Sequence, residues 1–454
     1  MTKTVDFLFL YEIKPRELEN ICLLKYELEK RGYSVAFMNT WYYLNHKKPK
    51  YNVNVLVSHG LHNDIIYNFV RSYVKKVKKI VNMQWEQVLT NADEISKDTF
   101  FSFSGMANKV VHISWGEKNK SRLVNQCNIP EDHVKVTGQI ALDFFRKEFK
   151  GYYLTRNELF EKYKIPTNKK VCLFISSFSY VNLPKSLIQD ENVILANDTN
   201  QFAFLSIKSQ EIIINWFKSI MDSNSNIVFI YRPHPAEANN PELVQLAKQY
   251  SNFFVISNCS VKQWIISCDM IYTWISTSLA EIYMSEKMCH ILRPINIPVE
   301  REQTIFKNAK FITSYKDFVE TFQKTKCKFP LDVELLLSHY YIDKNEATYL
   351  KIIRVLENVY KTNDFKLPKF NKQKNKSRKS YANIIKNAIG KSFVYTLIKS
   401  IALNSKIDIS VFNNIREREK VDENDYRYQK QLQNFATEEE INYIINKFKR
   451  LLIE

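Results

Sequence analysis

Glycine is scarce in this chain: its 454 residues include only seven glycines, and these are scattered. Isolated glycines cannot build a P-loop or a G-x-G-x-x-G turn, which argues against P-loop NTPases and against dinucleotide enzymes of the glycine-fingerprint type. The seven cysteines lie far apart and show no C-x-x-C spacing. The sequence therefore predicts neither a zinc site nor a disulfide framework.

Long apolar runs are also missing, and no stretch approaches the length that spans a bilayer. The N-terminus leads directly into a strand-like run without the pattern of a signal peptide. We therefore expect a cytoplasmic protein, either soluble or peripheral on the inner face of the cytoplasmic membrane. The hydrophobic content of 45% and the aromatic content of 14% indicate large cores, and the length favours two domains.

Strand-like and helix-like segments alternate through residues 1–150, which predicts a first doubly wound α/β domain. The predicted strands are Val5–Tyr11, Ser34–Met38, Val53–Val57, Lys79–Met83 and Val110–Ile113, and the predicted helices include Pro15–Arg31 and Ile65–Val77. Polar, titratable or aromatic residues follow three of these strands, at 58–64, 84–87 and 114–117. Ligands of open α/β sheets bind at the carboxyl ends of strands, so we expect a crevice there.

The same alternation returns in residues 151–360, after a predicted hinge at 151–169. The predicted strands are Val171–Ile175, Ile227–Ile230, Phe253–Ile256, Cys268–Ile275 and 290–294. The predicted helices are Ser209–Met221, Glu242–Tyr250, Val261–Ser267, Leu279–Tyr283 and a helical stretch at 334–360. Residues 180–205 are predicted to form an insertion loop or lid. The fold class is therefore α/β, with two facing Rossmann-like, doubly wound domains.

The segment Tyr231–Pro235 follows an apolar run and has the sequence Tyr-Arg-Pro-His-Pro. Pro233 and Pro235 each fix φ and bias the preceding residue toward extended backbone. We therefore expect His234 to be rigidly presented beside the Arg232 cation, at the edge where ligands bind. Such a pair suits a phosphate contact, although His-Pro pairs also occur in ordinary turns and arginine is often a structural ion-pair partner.

Hydroxyl residues follow two other strands of the second domain. Ser276, Thr277 and Ser278 stand where the strand Cys268–Ile275 ends and a helix begins, so they offer hydroxyl and N–H donors at a helix N-terminus. A plain helix cap explains the same triplet. Ser177 follows the first strand of this domain, where it is well placed to meet donor phosphate. Together, the Arg-Pro-His-Pro and Ser-Thr-Ser segments predict a diphosphate or nucleotide site.

These segments resemble the donor-binding domain of bacterial surface-carbohydrate glycosyltransferases. Three patterns carry the resemblance. The first is Tyr-Arg-Pro-His-Pro, and the second is a Cys-Asp about 40 residues later, together with the Ser-Thr-Ser-x-x-Glu that follows it. The third is the V-T-G-x-x-x-x-D pattern at 136–143. It covers roughly residues 50–355. The groups that it resembles are capsule and lipopolysaccharide transferases using CMP-activated sugars of the Kdo and sialic acid types, and the CDP-glycerol polymerases of teichoic acid synthesis.

The resemblance implies a GT-B glycosyltransferase, inverting and metal-independent. Such an enzyme would move a sugar from a nucleotide-activated donor, with CMP-sugars favoured, to a capsule polysaccharide, a lipopolysaccharide or a lipid-linked saccharide. The alternative is a polyol-phosphate transferase of the CDP-glycerol or CDP-ribitol type. No cofactor is implied, and no Asp-x-Asp motif is present. The donor phosphates would be bound by His234, Arg232 and residues 276–278. Glu281 would bind the ribose, although a capping or surface role explains this residue equally well.

An inverting transfer also needs a base that takes the proton of the acceptor hydroxyl, and we expect this base in the first domain. Glu86 is the first candidate, because it follows an apolar strand beside Trp85, which would desolvate the carboxylate and stack on a sugar. His59 and Asp64 are competing candidates. Each has a structural alternative: Glu86 as a helix cap, His59 as a partner of a backbone carbonyl, and Asp64 as the start of a helix.

The composition changes after residue 360. Residues 361–407 contain 12 Lys and Arg against a single acidic residue, Asp364, which gives a local charge of +11 within the chain total of +18. Residues 361–381 are predicted to be a basic linker, and the apolar spacing within 382–403 predicts a basic amphipathic helix. This helix would lie on an anionic membrane or dock on the catalytic domain. The tail 382–454 is expected to be helical near its end, at Glu438–Leu452.

Two non-catalytic classes compete with an enzyme. The positive charge also suits a nucleic-acid-binding protein, but it is concentrated in one segment, and no helix-turn-helix, zinc-finger or RNP pattern is present. We therefore expect no nucleic-acid partner. The other class is a scaffold for polysaccharide assembly, bound to the membrane through its basic tail. Hydrolysis of a nucleotide-sugar, or transfer from it, would count against both.

Overall fold

The described part of the chain divides into two compact units. The computed structural model describes residues 2–40, 42–45, 51–95, 103–179, 198–234, 237, 240–367 and 434–452. Unit 1 contains the described residues of 1–87, 96–138 and 343–454, and unit 2 contains those of 88–95 and 139–342. The boundaries of these units differ from the expected domain limits, 1–150 and 151–360. Residues 139–150 lie in unit 2, and residues 343–360 lie in unit 1.

Unit 1 is built on a parallel sheet of six strands. They are β1 (Lys3–Tyr11), β2 (Val35–Asn39), β3 (Tyr51–Ser58), β4 (Lys76–Asn82), β5 (Val111–Ser114) and β6 (Val134–Val136). The strand order is β2-β1-β3-β4-β5-β6, and every neighbouring pair is parallel. The sequence predicts the first five with small shifts of their ends. It misses β6, whose three residues are too few to show a pattern.

Unit 2 contains a second parallel sheet of six strands. They are β7 (Lys170–Ile175), β8 (Ile227–Arg232), β9 (Phe253–Val255), β10 (Met270–Thr273), β11 (Met288–Leu292) and β12 (Phe311–Ile312). Their order is β12-β11-β10-β7-β8-β9, and every neighbouring pair is parallel. The predicted strand Cys268–Ile275 is too long, because Cys268 closes the preceding helix. The α/β fold class with two Rossmann-like domains is confirmed.

Helices connect the strands. In chain order they are α1 (Lys14–Lys30), α2 (Tyr42–Asn45), α3 (Asp64–Arg71), α4 (Asn91–Ile95), α5 (Glu117–Asn125), α6 (Arg156–Tyr163), α7 (Asp198–Ser223), α8 (Pro241–Gln249), α9 (Val261–Ser267), α10 (Leu279–Met284), α11 (Tyr315–Thr321), α12 (Val333–His339), α13 (Thr348–Lys361) and α14 (Glu438–Leu451). Three expectations are corrected. The predicted helix Ile65–Val77 ends at Arg71, because β4 begins at Lys76. Residues 198–205, expected in the insertion loop, are helical, and the stretch 334–360 forms two helices.

The central strands are buried on both faces. All six residues of β8 are buried, and so are the last five residues of β1, Phe7–Tyr11. Helices on both sides of a parallel sheet remove both faces from water, so such strands are continuously apolar rather than alternating. This burial is the physical reason why short apolar runs locate the strands of this protein.

Lys79 attaches α13 to the sheet of unit 1. Its ammonium group is buried and donates hydrogen bonds to the carbonyls of Val359, Tyr360 (2.8 Å) and Thr362. The last carbonyls of a helix have no partner within the helix and carry a partial negative charge. A buried cation at this end therefore stabilises α13 and explains why residues beyond 342 belong to unit 1.

Helix α14 packs on α1 and is also part of unit 1. The rings of Tyr26 and Phe448 stack with their centroids 6.4 Å apart. The N–H of Ala436 donates to the hydroxyl of Tyr11 at 2.9 Å. A capping box in which Thr437 and the first-turn carboxylate at 440 exchange hydrogen bonds begins the helix. The expected helix near the end of the tail is confirmed.

The rest of the predicted tail is described only in part. The basic linker 361–381 is described as far as residue 367, and the predicted amphipathic helix at 382–403 lies outside the described residues. Within the described ranges, the helices are too short or too polar to cross a bilayer.

Candidate functional site

Three strand ends of unit 2 meet at one edge of its sheet, which we call the carboxyl edge. β7 lies between β10 and β8, so the residues that follow these parallel strands are neighbours. The Ser177 hydroxyl accepts a hydrogen bond from the N–H of Ile275 at 3.0 Å, which joins the ends of β7 and β10. The N–H of Ser176 donates to the Arg232 carbonyl at 3.0 Å, which joins β7 and β8. The structure thus brings together the three segments singled out in the sequence of this unit.

His234 lies in a turn that Glu237 closes. The N–H of His234 donates to Glu237 Oε2 at 3.2 Å, and the N–H of Glu237 donates to the His234 carbonyl at 2.8 Å. His234 is half-buried, whereas Glu237 is only 2% exposed. This pair of hydrogen bonds fixes the backbone at His234 in a way that the flanking prolines alone do not.

The Glu237 carboxylate belongs to a buried network of side chains. It accepts hydrogen bonds from the Tyr231 hydroxyl at 2.6 Å, from the Gln210 amide and from the Ser176 hydroxyl. Gln210 also donates to the Tyr231 hydroxyl at 2.9 Å. Burial raises the pKa of Glu237, and the hydrogen bonds from its neighbours oppose this rise. With the His234 N–H, the carboxylate accepts four hydrogen bonds, which makes it a rigid anchor.

Arg232 holds a neighbouring loop. Its guanidinium donates to the carbonyls of Asn258 at 2.9 Å and Cys259 at 2.6 Å, and the residue is 9% exposed. Cys259 has φ of +64°, in the left-handed region that residues other than glycine seldom adopt. These contacts give Arg232 a structural role within unit 2. Its contact with phosphate stays a prediction.

The hydroxyl triplet begins α10. The Ser276 hydroxyl accepts a hydrogen bond from the N–H of Ser278 at 3.1 Å, whereas Ser278, the N-cap residue, makes no capping hydrogen bond with its side chain. Thr277 is exposed. Helix α10 has six residues, so few peptide dipoles add up at its N-terminus. Donor binding by the triplet stays a prediction, and it depends on these individual hydroxyl and N–H groups more than on the helix.

Glu281 is a buried carboxylate in the first turn of α10. It is 8% exposed, and its Oε2 is buried without a hydrogen-bond partner among the described residues. Burial raises the pKa of Glu281, while the charge of Lys262 opposes the rise. A buried acceptor without a partner is unfavourable by about 1–3 kcal/mol. A ligand hydroxyl would relieve this penalty, so the geometry suits the predicted ribose contact better than a surface role.

The segment carrying the V-T-G-x-x-x-x-D pattern packs against α10. Residues Ile140–Phe145 form a 3₁₀ helix, and Asp143 within it is buried. The Lys262 ammonium lies 4.8 Å from the centroid of the Phe144 ring and is itself buried. The charge that acts on Glu281 is therefore the buried Lys262 cation, which in turn lies over the ring of Phe144, all within unit 2.

His59 follows β3 in unit 1. Burial lowers its pKa to about 4, with Glu17 opposing and Arg16 adding to the shift. Its Nδ1 is buried and has no hydrogen-bond partner among the described residues. The carbonyl of His59 accepts the N–H of Trp85 at 3.3 Å, which ties the end of β3 to the segment after β4. The imidazole is therefore neutral at pH 7 and a weaker base than a solvent-exposed histidine.

Glu86 lacks the desolvation that the sequence predicted for it. Its side chain is 63% exposed and is paired with Arg16, while Trp85 beside it is buried at 6% exposure. Arg16 also pairs with Glu17 at 2.6 Å, and these carboxylates raise its pKa. A solvated, ion-paired carboxylate is a weaker base than a desolvated one. The role of Glu86 as the base stays a prediction, but Glu86 lacks the desolvated environment on which that prediction was based.

Asp64 begins α3 and holds a nearby turn. Its Oδ1 accepts the N–H of Met106 at 2.7 Å. Gly105 has φ of +62°, and a Cβ there would come within 2.4 Å of the Asp64 carboxylate. The side chain thus occupies the space that the glycine leaves open. This is the helix-start role considered for Asp64, with a turn-fixing role added.

Glu237 and Glu17 are buried carboxylates that the sequence did not single out. Glu17 is fully buried, and it accepts the N–H groups of Glu12 (2.8 Å) and Ile13 (3.3 Å). For Glu237, the signal is its place three residues after a histidine held between prolines, where a side chain can reach back to the turn. For Glu17, the signal is an acid in the first turn of a predicted helix.

No protein-family model matches the sequence, and no curated protein matches it significantly. Solved structures do match. A variant of the wall teichoic acid polymerase TagF superposes with a TM-score of 0.50 at 11% identity, over 78% of this chain and 89% of that one. UDP-GlcNAc 2-epimerase from Neisseria meningitidis, bound to UDP-GlcNAc, gives 0.46 at 14% identity over 80% and 100%. The enzyme from Methanocaldococcus jannaschii gives 0.47 at 13% over 79% and 100%.

These similarities concern the fold. At 11% identity, the match to the polymerase shows a shared two-domain α/β architecture and nothing about substrates. Two six-stranded parallel sheets, each flanked by helices, agree with it. The chain therefore has a two-domain α/β fold of the GT-B kind.

Proposed function

We propose that the protein is a GT-B transferase that uses a nucleotide-activated donor, with CMP-sugars favoured, to extend a bacterial surface polysaccharide. One observation supports this most: the carboxyl edge of unit 2 joins a rigidly held His234 to strand ends rich in hydroxyl groups. Glu281 adds a buried carboxylate oxygen without a described partner. An imidazole and hydroxyls suit phosphates, and a carboxylate suits ribose hydroxyls.

In the proposed reaction, unit 2 binds the donor. The acceptor oxygen forms a bond to the anomeric carbon, and the bond from that carbon to the phosphate oxygen breaks. The electron pair remains on the leaving nucleotide. His234 and the N–H and hydroxyl groups of residues 276–278 stabilise this charge, and Arg232 contributes its field from the end of β8.

A base in unit 1 takes the proton of the acceptor hydroxyl. All three candidates stay open, because the burial that lowers the pKa of His59 also makes its neutral imidazole a weaker base. Glu86 is solvated and ion-paired, and Asp64 fixes a turn.

The alternative is a polyol-phosphate transferase of the CDP-glycerol type, the class of enzyme to which a teichoic acid polymerase of similar fold points. In that reaction the acceptor oxygen attacks the phosphorus next to the polyol, and the pyrophosphate bond breaks. CMP leaves in both cases, so the nucleotide alone cannot distinguish them. The product does, because only a polyol-phosphate transferase delivers phosphorus to the acceptor.

The first test is thermal unfolding with CMP, CDP, UDP and GDP. A ligand that binds only the folded protein stabilises it by RT ln(1 + [L]/Kd), which is about 2.7 kcal/mol at a hundredfold excess over Kd. We expect a cytidine nucleotide to raise the melting temperature most. Absence of any shift at millimolar nucleotide would contradict a nucleotide-donor enzyme. Phosphorus NMR of the product from the matching donor then separates the two transfers.

A further inference from the structure

The buried network around Glu237 has no place in the reaction proposed above, yet it is the most densely hydrogen-bonded polar cluster at the carboxyl edge. We propose that Glu237 is a positioning residue: it holds the backbone of His234 so that the imidazole is aimed at the donor phosphate. This inference rests on the proposed function. It assigns Glu237 no contact with substrate, only with the turn that carries His234.

Two hydrogen bonds make this connection direct. One runs from the His234 N–H to Glu237 Oε2 at 3.2 Å, and the other from the Glu237 N–H to the His234 carbonyl at 2.8 Å. Both peptide groups flanking the Cα of His234 are therefore fixed by one residue. Because the position of an imidazole follows from its backbone and two side-chain torsions, fixing the backbone removes most of its freedom.

Other side chains fix Glu237 in turn. Gln210 on α7 donates to the Glu237 carboxylate and to Tyr231 in β8, and its carbonyl oxygen accepts from the Asn240 amide at 3.4 Å. Asn240 caps α8. Gln210 therefore contacts the strand before the turn, the turn itself and the helix after it. The turn that bears His234 is held against the longest helix described in unit 2.

A carboxylate is required at position 237 because all four of its partners donate. Oε1 accepts from Tyr231 and Gln210, and Oε2 accepts from Ser176 and His234. A glutamine of the same size would direct an NH₂ group at two of these donors. Because Glu237 is only 2% exposed, water cannot replace the lost hydrogen bonds. Glu237→Gln therefore preserves volume while it weakens the hold on the turn.

A double-mutant cycle with His234→Ala tests the proposal. Glu237→Gln should lower kcat at least tenfold in the wild-type background and have less than a twofold effect in the His234→Ala background, because both changes remove the same aimed imidazole. A purely structural Glu237 would lower activity by the same factor in both backgrounds. That result would overturn the proposal, and so would unchanged activity of Glu237→Gln.

A matched control is Asp269→Asn, the same acid-to-amide change in unit 2. Asp269 accepts the N–H of Val171 at 2.8 Å and pairs with Arg156, before the start of β10 and away from the carboxyl edge. We expect it to lower the melting temperature while kcat stays within twofold. If Glu237→Gln does not fold, Ser176→Ala removes one donor to the same Oε2 and should show a smaller effect with the same dependence on His234.

Hydrogen exchange gives a readout that needs no substrate. In the ligand-free protein, the amide of His234 should exchange at least tenfold faster in Glu237→Gln than in Asp269→Asn. Equal exchange would refute the positioning role whatever the enzyme does. Failure of every nucleotide to stabilise the wild-type protein would instead refute the proposed function, so the two failures are distinguishable.

Discussion

Helix α14 should stabilise unit 1, and Phe448→Ala tests this. Phe448 is fully buried against Tyr26 of α1, and Ile445 beside it is 5% exposed. Truncating a buried phenylalanine to alanine typically destabilises a protein by about 3–5 kcal/mol. The solvent-exposed ion pair between Lys14 and Glu440 contributes at most about 1 kcal/mol, so it cannot hold the helix in place alone.

The expected change in melting temperature follows from this loss. A helix that detaches cannot lower stability by more than its own docking free energy, so we take the lower figure of about 3 kcal/mol. For a unit of roughly 150–250 residues, each kcal/mol corresponds to roughly 2–4 °C, which predicts a decrease of ~6–12 °C. Urea or thermal unfolding measures it, and limited proteolysis should cut within 434–452 more readily.

Tyr443→Ala is the control, because Tyr443 lies on the same helix and is 68% exposed. It should change the free energy of unfolding by less than about 1 kcal/mol. Equal melting temperatures for the two variants would show that α14 does not contribute to the stability of unit 1.

Three further outcomes follow from the contacts described. His234→Ala should lower turnover at least ~10²-fold while the melting temperature stays near the wild-type value, and near-normal turnover would remove His234 from the reaction. His59 titrates near pH 4 in the folded protein and near its ordinary value of 6.5 when unfolded, so the unfolded state binds the extra proton. Stability should therefore fall by up to ~3 kcal/mol as pH drops from 6.5 to 4, and His59→Gln should flatten this decrease in urea unfolding curves. Lys79→Met should lower the free energy of unfolding by ~2–4 kcal/mol because three carbonyls lose their donor, whereas exposed Lys78→Met serves as the control and should have little effect.

The fold was predictable wherever burial is continuous along the chain. The apolar run at 227–230 and its counterpart at 171–175 identified strands β8 and β7 of unit 2, because strands buried on both faces are predominantly apolar. β12 has two half-buried residues and left no such signal. The extent of α7 was also missed, since the polar residues at 198–201 are typical of a loop.

The candidate site was predictable in its location but not in its contacts. Strand ends placed His234, Ser177 and residues 276–278 at one edge, because parallel topology alone brings them there. The partners of Arg232 lie 26 and 27 residues away, and Glu237 reaches a serine 61 residues earlier in the chain. Local spacing carries no information about such pairs. Glu86 shows the same limit, since its exposure depends on neighbours that the sequence does not identify.

The discontinuity of unit 1 has a consequence for biosynthesis. The Ala436 N–H bonds to the hydroxyl of Tyr11, which the ribosome adds 425 residues earlier. At about 5–20 residues per second, roughly 20–85 s separate the synthesis of these two partners. Most of unit 2 is one continuous segment, 139–342, which emerges whole before the last parts of unit 1 are made. During that interval the nascent chain exposes the apolar face of α1 that α14 later covers, so chaperone capture is expected to be greatest there.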